Sequence, residues 1–262
     1  YEIRLSLVGS EMCIRDRLYG AMTADWGDVQ PNDDFGCDMN DLSDPAIDVY
    51  DNAMFIIALD YLLEMAPDSP QASRWKSLRE GIERNVRAHL WDVKRQKFIP
   101  HIYPEKSPIP EGFDELAIHY HGGTAIAIEA GLLSEDEIRS VNAQMLENVR
   151  LSGMPSIGLT LYPVYPDGFF HGGMSKAYLY QNGGDWTWFG CRMIQQLVVN
   201  GMVEEAYAEI HPMIERVIQN DGFYEWYGKG GVPSGSGNFK GSAGVLSKAI
   251  ELLRDWAEKN KS

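Results

Sequence analysis

The feature of this sequence that most limits its fold is a repeated couple of helical segments. In each couple, a segment that is apolar on most sides is followed, after a tight turn, by an amphipathic segment with one charged face. The predicted couples are 48–66 with 69–90, 115–130 with 134–149, and 186–199 with 203–218, and a last helix is predicted over 241–258. Because an apolar helix must be buried and an amphipathic helix shields it from water, the pattern predicts an all-α ring of helical hairpins.

Long loops rich in aromatic residues, Pro and Gly separate the couples, at 91–113, 153–184 and 220–240. Loops of this length inside a compact domain usually carry function. Each one joins an outer helix to the next inner helix, so all of them are expected on one face of the ring. The Gly-rich segment 229–241 follows an irregular loop rather than a strand, which argues against a nucleotide-binding phosphate loop.

The charge balance limits the partners of the chain. Lys and Arg number 23 against 38 Asp and Glu, a formal net charge of −15. A field of this sign repels nucleic acid and anionic membranes, and no basic stripe opposes it. The longest apolar run, around 53–59, ends at Asp60 and is far too short to span a bilayer. We therefore expect no nucleic acid or membrane partner, and a neutral, hydroxyl-rich ligand fits the charge.

The N-terminal residues differ in character from the rest. The stretch 6–17, SLVGSEMCIRDR, resembles the in-frame translation of a transposon-end adapter used to prepare sequencing libraries. A signal peptide is the competing interpretation, but the charged residues leave no sustained apolar core. We expect residues 1–17 to be a non-native tag, and residues 18–262 to be the C-terminal part of a larger catalytic domain. Compartment and oligomeric state have no signature here.

Three loop motifs combine acidic or amide groups with aromatic rings. They are Asp25-Trp26-Gly27-Asp28, then 180–186 (YQNGGDW), and 221–227 (DGFYEWY) with Glu225 among the aromatics. Glycosidic cleavage needs a carboxylic acid to protonate the leaving oxygen and an apolar plane beneath the sugar ring. Structural alternatives remain open: a helix-entry loop with solvated acids, a tight turn built by Gly183-Gly184, and a surface glutamate beside a hydrophobic plug.

Metal binding is the weaker interpretation of the other polar clusters. His119 and His121 lie in a predicted helix, where residues two apart point in different directions. The acidic residues between Asp33 and Asp44 lack the regular spacing of a calcium loop. We therefore expect no metal and no cofactor, and we expect the three cysteines (Cys13, Cys37 and Cys191) to be buried thiols.

At these motifs the sequence resembles the six-hairpin glycosidase superfamily, whose members form an (α/α)6 toroid. Asp25-Trp26-Gly27-Asp28 is similar to the Asp-Trp-X-Asp signature of the cellobiose and chitobiose phosphorylases, and 158–163 with 180–184 is similar to a later loop of that family. The phosphate-binding His and Thr of that family are replaced here by Trp188 and Lys240. The segments 180–186 and 223–227 look instead like those of neutral invertases, trehalases and processing glucosidases.

The resemblance implies an incomplete toroid and an inverting glycoside hydrolase without a cofactor. Asp28 is then the general acid and Glu225 the general base, with their carboxyl groups roughly 6.5–9.5 Å apart. The residues implied in oligosaccharide or glycoside binding are Asp25, Gln181, Asn182 and Asp185 for hydroxyl groups, and Trp26, Trp186 and Trp226 as pocket walls. An inverting disaccharide phosphorylase and a non-catalytic carbohydrate-binding toroid are the alternatives.

Overall fold

The computed structural model describes residues 20–27, 29–31 and 39–260. Seven α-helices occupy this part of the chain: α1 Val49–Met65, α2 Ala72–His89, α3 His121–Glu129, α4 Glu135–Ser152, α5 Thr187–Val199, α6 Val203–Asn220 and α7 Lys240–Lys259. The predicted hairpins are confirmed, because α1 packs on α2, α3 on α4, and α5 on α6. None of these helices combines the length and the apolar composition that crossing a bilayer requires.

The inner layer consists of α1, α3, α5 and α7. Helix α1 packs on α3, α3 on α5, and α5 on α7, so these four helices form a continuous arc. In α3 every residue from His121 to Ile128 is buried, whereas α2 buries only Gly81, Ile82 and Val86. The outer helices therefore cover one side of the arc with a narrow apolar stripe.

Four antiparallel pairs of two-residue strands lie in the loops. They are β1 (Gly20–Ala21) with β2 (Pro45–Ala46), β3 (Trp91–Asp92) with β4 (Lys97–Phe98), β5 (His119–Tyr120) with β6 (Leu161–Tyr162), and β7 (Trp226–Tyr227) with β8 (Pro233–Ser234). Single bridges join Ile47 to Ile102 and Asp185 to Tyr227. Because β2, β5 and Asp185 directly precede inner helices, this pairing gathers the N-terminal ends of those helices at one face.

The prediction of a single helix over 115–130 is wrong at its N-terminal end. Glu115–Ala117 forms one turn of 3-10 helix, His119–Tyr120 pairs with β6, and α3 begins only at His121. The cause is tertiary, because the strand partner comes from a loop distant in sequence. By contrast, the predicted start of α4 is confirmed: Ser134 and Glu137 form a reciprocal capping box, and Gly153 ends the helix with φ 70°.

Candidate functional site

The turn that carries Trp26 is fastened to the N-terminus of α3. Asp25 adopts a left-handed conformation with φ 57°, and its two carboxylate oxygens accept hydrogen bonds from the Gly122 and Gly123 N–H groups, both at 2.8 Å. These are donors that a helix leaves without an intrahelical partner. Burial raises the pKa of Asp25 to about 8, against the lowering effect of the two N–H groups. Asp25 is only 3% exposed, and its hydrogen bonds hold the turn on the N-terminus of α3; its contact with sugar hydroxyls stays a prediction.

Asp28, the predicted general acid, lies outside the described residues. The turn that leads to it is described: Gly27 N–H donates to the Ala24 carbonyl at 3.1 Å. A Cβ at Gly27 would lie 2.7 Å from Gln181 Oε1, so the turn runs directly against the loop that precedes α5.

A row of aromatic rings joins the first loop to the last. The Trp26 ring lies 3.7 Å from Phe189 and 5.1 Å from Trp186, centroid to centroid. Trp186 lies 5.0 Å from Tyr180, which in turn lies 6.3 Å from Trp226. Trp186 is buried, with its indole N–H donating to the Tyr180 carbonyl at 3.0 Å, whereas Trp26 and Trp226 are half-buried. The three tryptophans singled out in the sequence are therefore brought together.

Tyr180 is held in an unusual backbone conformation within this row. Its φ is 49°. For a bulky residue this conformation costs about 1–3 kcal/mol, so contacts with neighbouring groups must stabilise it. Two such contacts are hydrogen bonds to the Tyr180 carbonyl, one from the Gly184 N–H and one from the Trp186 indole N–H. A Cβ at Gly184 would clash with that carbonyl, so the turn requires glycine there for structural reasons.

Glu225 lies directly before β7, next to Trp226. Its backbone N–H donates to the Ser236 carbonyl at 2.9 Å, and its carboxylate accepts from the Ser236 N–H at 3.2 Å. A Cβ at Gly235 would lie 2.5 Å from Glu225 Oε2, so glycine is needed for this approach. The side chain is half-buried. The carboxylate is therefore fixed by the strand pair and still partly accessible.

The other three polar residues predicted to bind hydroxyl groups, Gln181, Asn182 and Asp185, are buried. The Asn182 amide donates to the Tyr165 carbonyl and accepts from the Tyr165 N–H, as a strand neighbour would. Asp185 is 0% exposed, and its carboxylate accepts from Ser156 Oγ and Arg216 Nη1. For Asn182 and Asp185 the observed hydrogen bonds are structural, because they fasten the loops to each other rather than face a cleft.

Arg216, from the outer helix α6, is a site-supporting residue that the sequence interpretation missed. Nη1 bonds to Asp185 Oδ1 at 2.7 Å, Nη2 bonds to Thr187 Oγ1 at 2.6 Å, and the guanidinium lies 4.1 Å from the Tyr227 ring centroid. Asp185 and Tyr227 also exchange both backbone hydrogen bonds, at 2.9 and 2.8 Å. The arginine thus ties α6 to the start of α5 and to the strand that follows Glu225. Its signal in the sequence is a charged residue three positions after Met213, on the apolar face of α6.

A small acidic cavity lies beside Trp26. It encloses about 220 Å³ and is lined by Trp26, Asp25, Asp48 and Asp51, together with Met39 and small residues of the first loop. Asp48 is the N-cap of α1 and accepts from the Asp51 N–H at 2.8 Å. Burial, followed by the charge of Asp51, raises the pKa of Asp48 well above its ordinary value, and burial also raises that of Asp51. The pattern Asp48-X-X-Asp51 is the signal that could have placed both carboxyl groups at the inner-helix face.

The histidines lie differently from the prediction. Because His119 is in a strand and not in a helix, it shares a side with His121, and their rings lie 5.1 Å apart. In the part of the chain that the structure describes, no group of three His, Cys, Asp or Glu side chains is arranged to hold a metal ion. Cys191 is buried, as predicted, while Cys13 and Cys37 lie outside the described residues.

Known proteins resemble this chain in structure rather than in sequence. No protein-family model and no curated protein matches it. The arrangement of helical hairpins is the all-α fold of solved glycoside hydrolases, which confirms the predicted fold class.

Three of the solved structures that this chain resembles come from Thermus thermophilus. The GH63 mannosylglycerate hydrolase in complex with Tris and D-glycerate matches with a TM-score of 0.57 and 17% identity, over 80% of this chain and 46% of its own. The same hydrolase in complex with glucose matches with a TM-score of 0.55 and 17% identity, over 80% and 48%. An uncharacterized conserved protein of the same organism matches at 0.57 and 18%, over 81% and 47%. The chain thus spans about half the length of these structures, and the similarity establishes the fold.

Proposed function

We propose that this chain carries the acid–base site of an inverting glycoside hydrolase, with Asp28 as general acid and Glu225 as general base. The observation that carries the proposal is the row of rings from Trp26 to Trp226. It links the turn that leads to Asp28 with the strand that follows Glu225, although the two segments lie at opposite ends of the chain. The GH63 hydrolase neighbours support glycoside hydrolysis as the reaction.

The aromatic surface supports a sugar as the substrate. Trp26 and Trp226 each keep part of their side chain accessible, and the cavity beside Trp26 offers the carboxyl groups of Asp48 and Asp51 to hydroxyl groups. Apolar ring faces flanked by hydrogen-bonding groups suit a pyranose or furanose ring. We therefore assign Trp26 and Trp226 to sugar contact, and Asp25, Asn182 and Asp185 to the support of the loops.

We further propose that residues 18–262 form the C-terminal part of a six-hairpin domain. The four inner helices form an arc, and the chain matches 46–48% of the GH63 hydrolase chains. An apolar groove between α6 and α7 also remains uncovered, with Tyr207 and Trp256 exposed in it. The catalytic test therefore uses both the 262-residue chain and the native-length reading frame.

The test is a panel of glycosides assayed with and without inorganic phosphate, with the anomer of the released sugar followed by proton NMR. Asp28→Asn and Glu225→Gln should each lower kcat by about 10²–10⁴-fold, the range typical of a lost general acid or base. Asp221→Asn is the matched control, because Asp221 is an exposed carboxylate of the same loop in a left-handed conformation that Asn tolerates.

Retention of the anomeric configuration would contradict the inverting mechanism. Turnover by Glu225→Gln at the rate of the Asp221→Asn control would remove Glu225 as the base. Product formation that requires phosphate would favour the phosphorylase alternative.

A further inference from the structure

A second cleft lies on the outer side of the fold, between α4 and the β3–β4 hairpin. Its volume is about 580 Å³, within the usual size range of small-molecule sites. One wall is a single face of α4 with Ser140, Ala143, Gln144 and Asn148, and the floor includes Lys97 of the hairpin and His119 from the segment before α3. None of these residues lines the cavity beside Trp26.

Lys97 is a buried cation in the floor of this cleft. The residue is 5% exposed, and its Nζ donates to the carbonyl oxygens of Ala117 at 2.7 Å and Ile118 at 2.6 Å. An ammonium group has three donors, so these bonds account for two of them. Burial lowers the pKa of Lys97 to about 8, which still leaves it largely protonated at about pH 7.

Asp114 and Asp92 are the carboxylates whose charges act on Lys97, and Glu147 lines the same cleft. Asp92 Oδ2 accepts from Arg95 Nη1 at 2.7 Å, and the Glu147 carboxylate is bonded to both Nε and Nη2 of Arg150. Among the described residues, no carboxylate lies within ion-pair distance of Lys97 Nζ. A buried charge normally has a partner of opposite sign, so this cation has capacity for an anion from solution.

His119 completes the floor with an imidazole ring whose Nδ1 atom is shielded from solvent. The Thr124 hydroxyl gives its proton to the Tyr120 carbonyl at 2.6 Å, so at the 3.1 Å contact with His119 Nε2 the histidine must be the donor. Nδ1 of the neutral ring is then a bare acceptor, and it is buried without a partner in the described part of the chain. Burial is the main cause that lowers the pKa of His119 well below its ordinary value, and the Lys97 charge adds to it, so the ring is neutral.

We propose that this cleft binds a small anionic polyol, with its oxyanion group against Lys97 Nζ. The wall of α4 suits the hydroxyl groups. Gln144 and Asn148 use their amide N–H groups on Gln96 and His121, which leaves their amide oxygens as acceptors for the ligand. The small side chains of Ser140 and Ala143 leave the space between them.

The test is isothermal titration calorimetry of the 262-residue chain with gluconate, glucose and inorganic phosphate. Gluconate carries a carboxylate on a polyol, glucose is the neutral counterpart, and phosphate is an oxyanion without the polyol. A charge-assisted hydrogen bond predicts that gluconate binds about 10-fold or more tightly than glucose. The tighter of the two oxyanions identifies the ligand group as carboxylate or phosphate.

Two variants locate the binding. Lys97→Met removes the cation, and Ala143→Trp fills the cleft from an exposed position without changing the core. Each should weaken gluconate binding by about 10-fold or more, while Lys76→Met, at an exposed position on α2, should leave the affinity within about 2-fold. Circular dichroism melting of each variant shows that it is folded.

Ala143→Trp keeps the proposal testable even where Lys97→Met fails to fold. Gluconate affinity unchanged in Ala143→Trp overturns the location of the site. Equal binding of glucose and gluconate, or no binding of either oxyanion by the folded chain, overturns the proposal itself.

Discussion

Removal of Arg216 tests how the outer layer supports the site. The Arg216→Met substitution keeps the volume and the apolar stem but leaves the Asp185 carboxylate, 0% exposed, with Ser156 Oγ as its remaining side-chain donor. Breaking a buried ion pair on one side costs about 3–5 kcal/mol, because the other charge stays buried without compensation. A domain of ordinary stability has roughly 5–15 kcal/mol in total, so this loss is readily measured.

The size of the effect depends on the charge that remains. Asp185→Asn with Arg216→Met in one chain removes both charges, so the double variant should be less destabilised than the sum of the single variants by about 1–3 kcal/mol. Arg254→Met is the matched control, since Arg254 is 64% exposed and pairs with its neighbour Asp255. An exposed pair of this kind contributes about 0–1 kcal/mol.

Urea unfolding followed by tryptophan fluorescence measures the free energy of unfolding of the parent chain, the two single variants, the double variant and the control. Tryptophan fluorescence reports on this region because Trp186 adjoins Asp185 in the sequence. The midpoint of each curve, at constant m-value, gives the change in stability. A cost below about 1 kcal/mol for Arg216→Met, or strictly additive single variants, would refute the reasoning from the buried pair.

The remaining predictions concern the aromatic face, the helix entry and a buried acid. Trp26→Ala should raise KM roughly 10-fold through lost apolar contact with the sugar, while Trp26→Phe should retain most of the affinity in steady-state kinetics. Gly122→Ala places a Cβ 2.5 Å from Asp25 Oδ2 and should cost about 1–3 kcal/mol in denaturant unfolding, whereas Gly173→Ala, with open space around it, should be nearly neutral. Burial raises the pKa of Glu209 from 4.5 to about 7, so the folded state binds the extra proton and the free energy of unfolding should fall as pH rises from about 4.5 through 7. Glu209→Gln should flatten this decline in the free energy of unfolding by at most about 3 kcal/mol at about pH 8, and by less where solvent screens the charge. An unchanged pH profile would contradict the raised pKa of Glu209.

Local sequence was sufficient to predict the three hairpins and one cap, but not the start of α3. Ser134 followed by Glu137 defines the start of α4 through hydrogen bonds between neighbours, and that prediction is confirmed. The alternation of apolar and amphipathic segments likewise predicted the inner and outer layers. Helix periodicity and capping depend on contacts within about one turn, so the sequence contains the necessary information.

Residue types were sufficient to single out the three motif loops, but not to predict the hydrogen-bond partners of their carboxylates. Trp26, Trp186 and Trp226 converge, as a shared pocket requires. Asp25 and Asp185 were predicted to bind sugar hydroxyls, and the structure adds that both carboxylates accept hydrogen bonds from other elements, the α3 N-terminus and Arg216. A short polar motif has the same residues whether its side chains face a cleft or a neighbouring loop.

The sequence by itself therefore determined the helical hairpins, the position of the long aromatic loops and the net charge that disfavours polyanions. Tertiary structure alone decided that His119 lies in a strand beside His121, that Asp25 caps a distant helix, and that Lys97 is a buried cation without a carboxylate partner in the described chain. The physical reason is that burial and pairing of a polar group depend on partners far away in sequence. Their cost or benefit is set only when the loops meet.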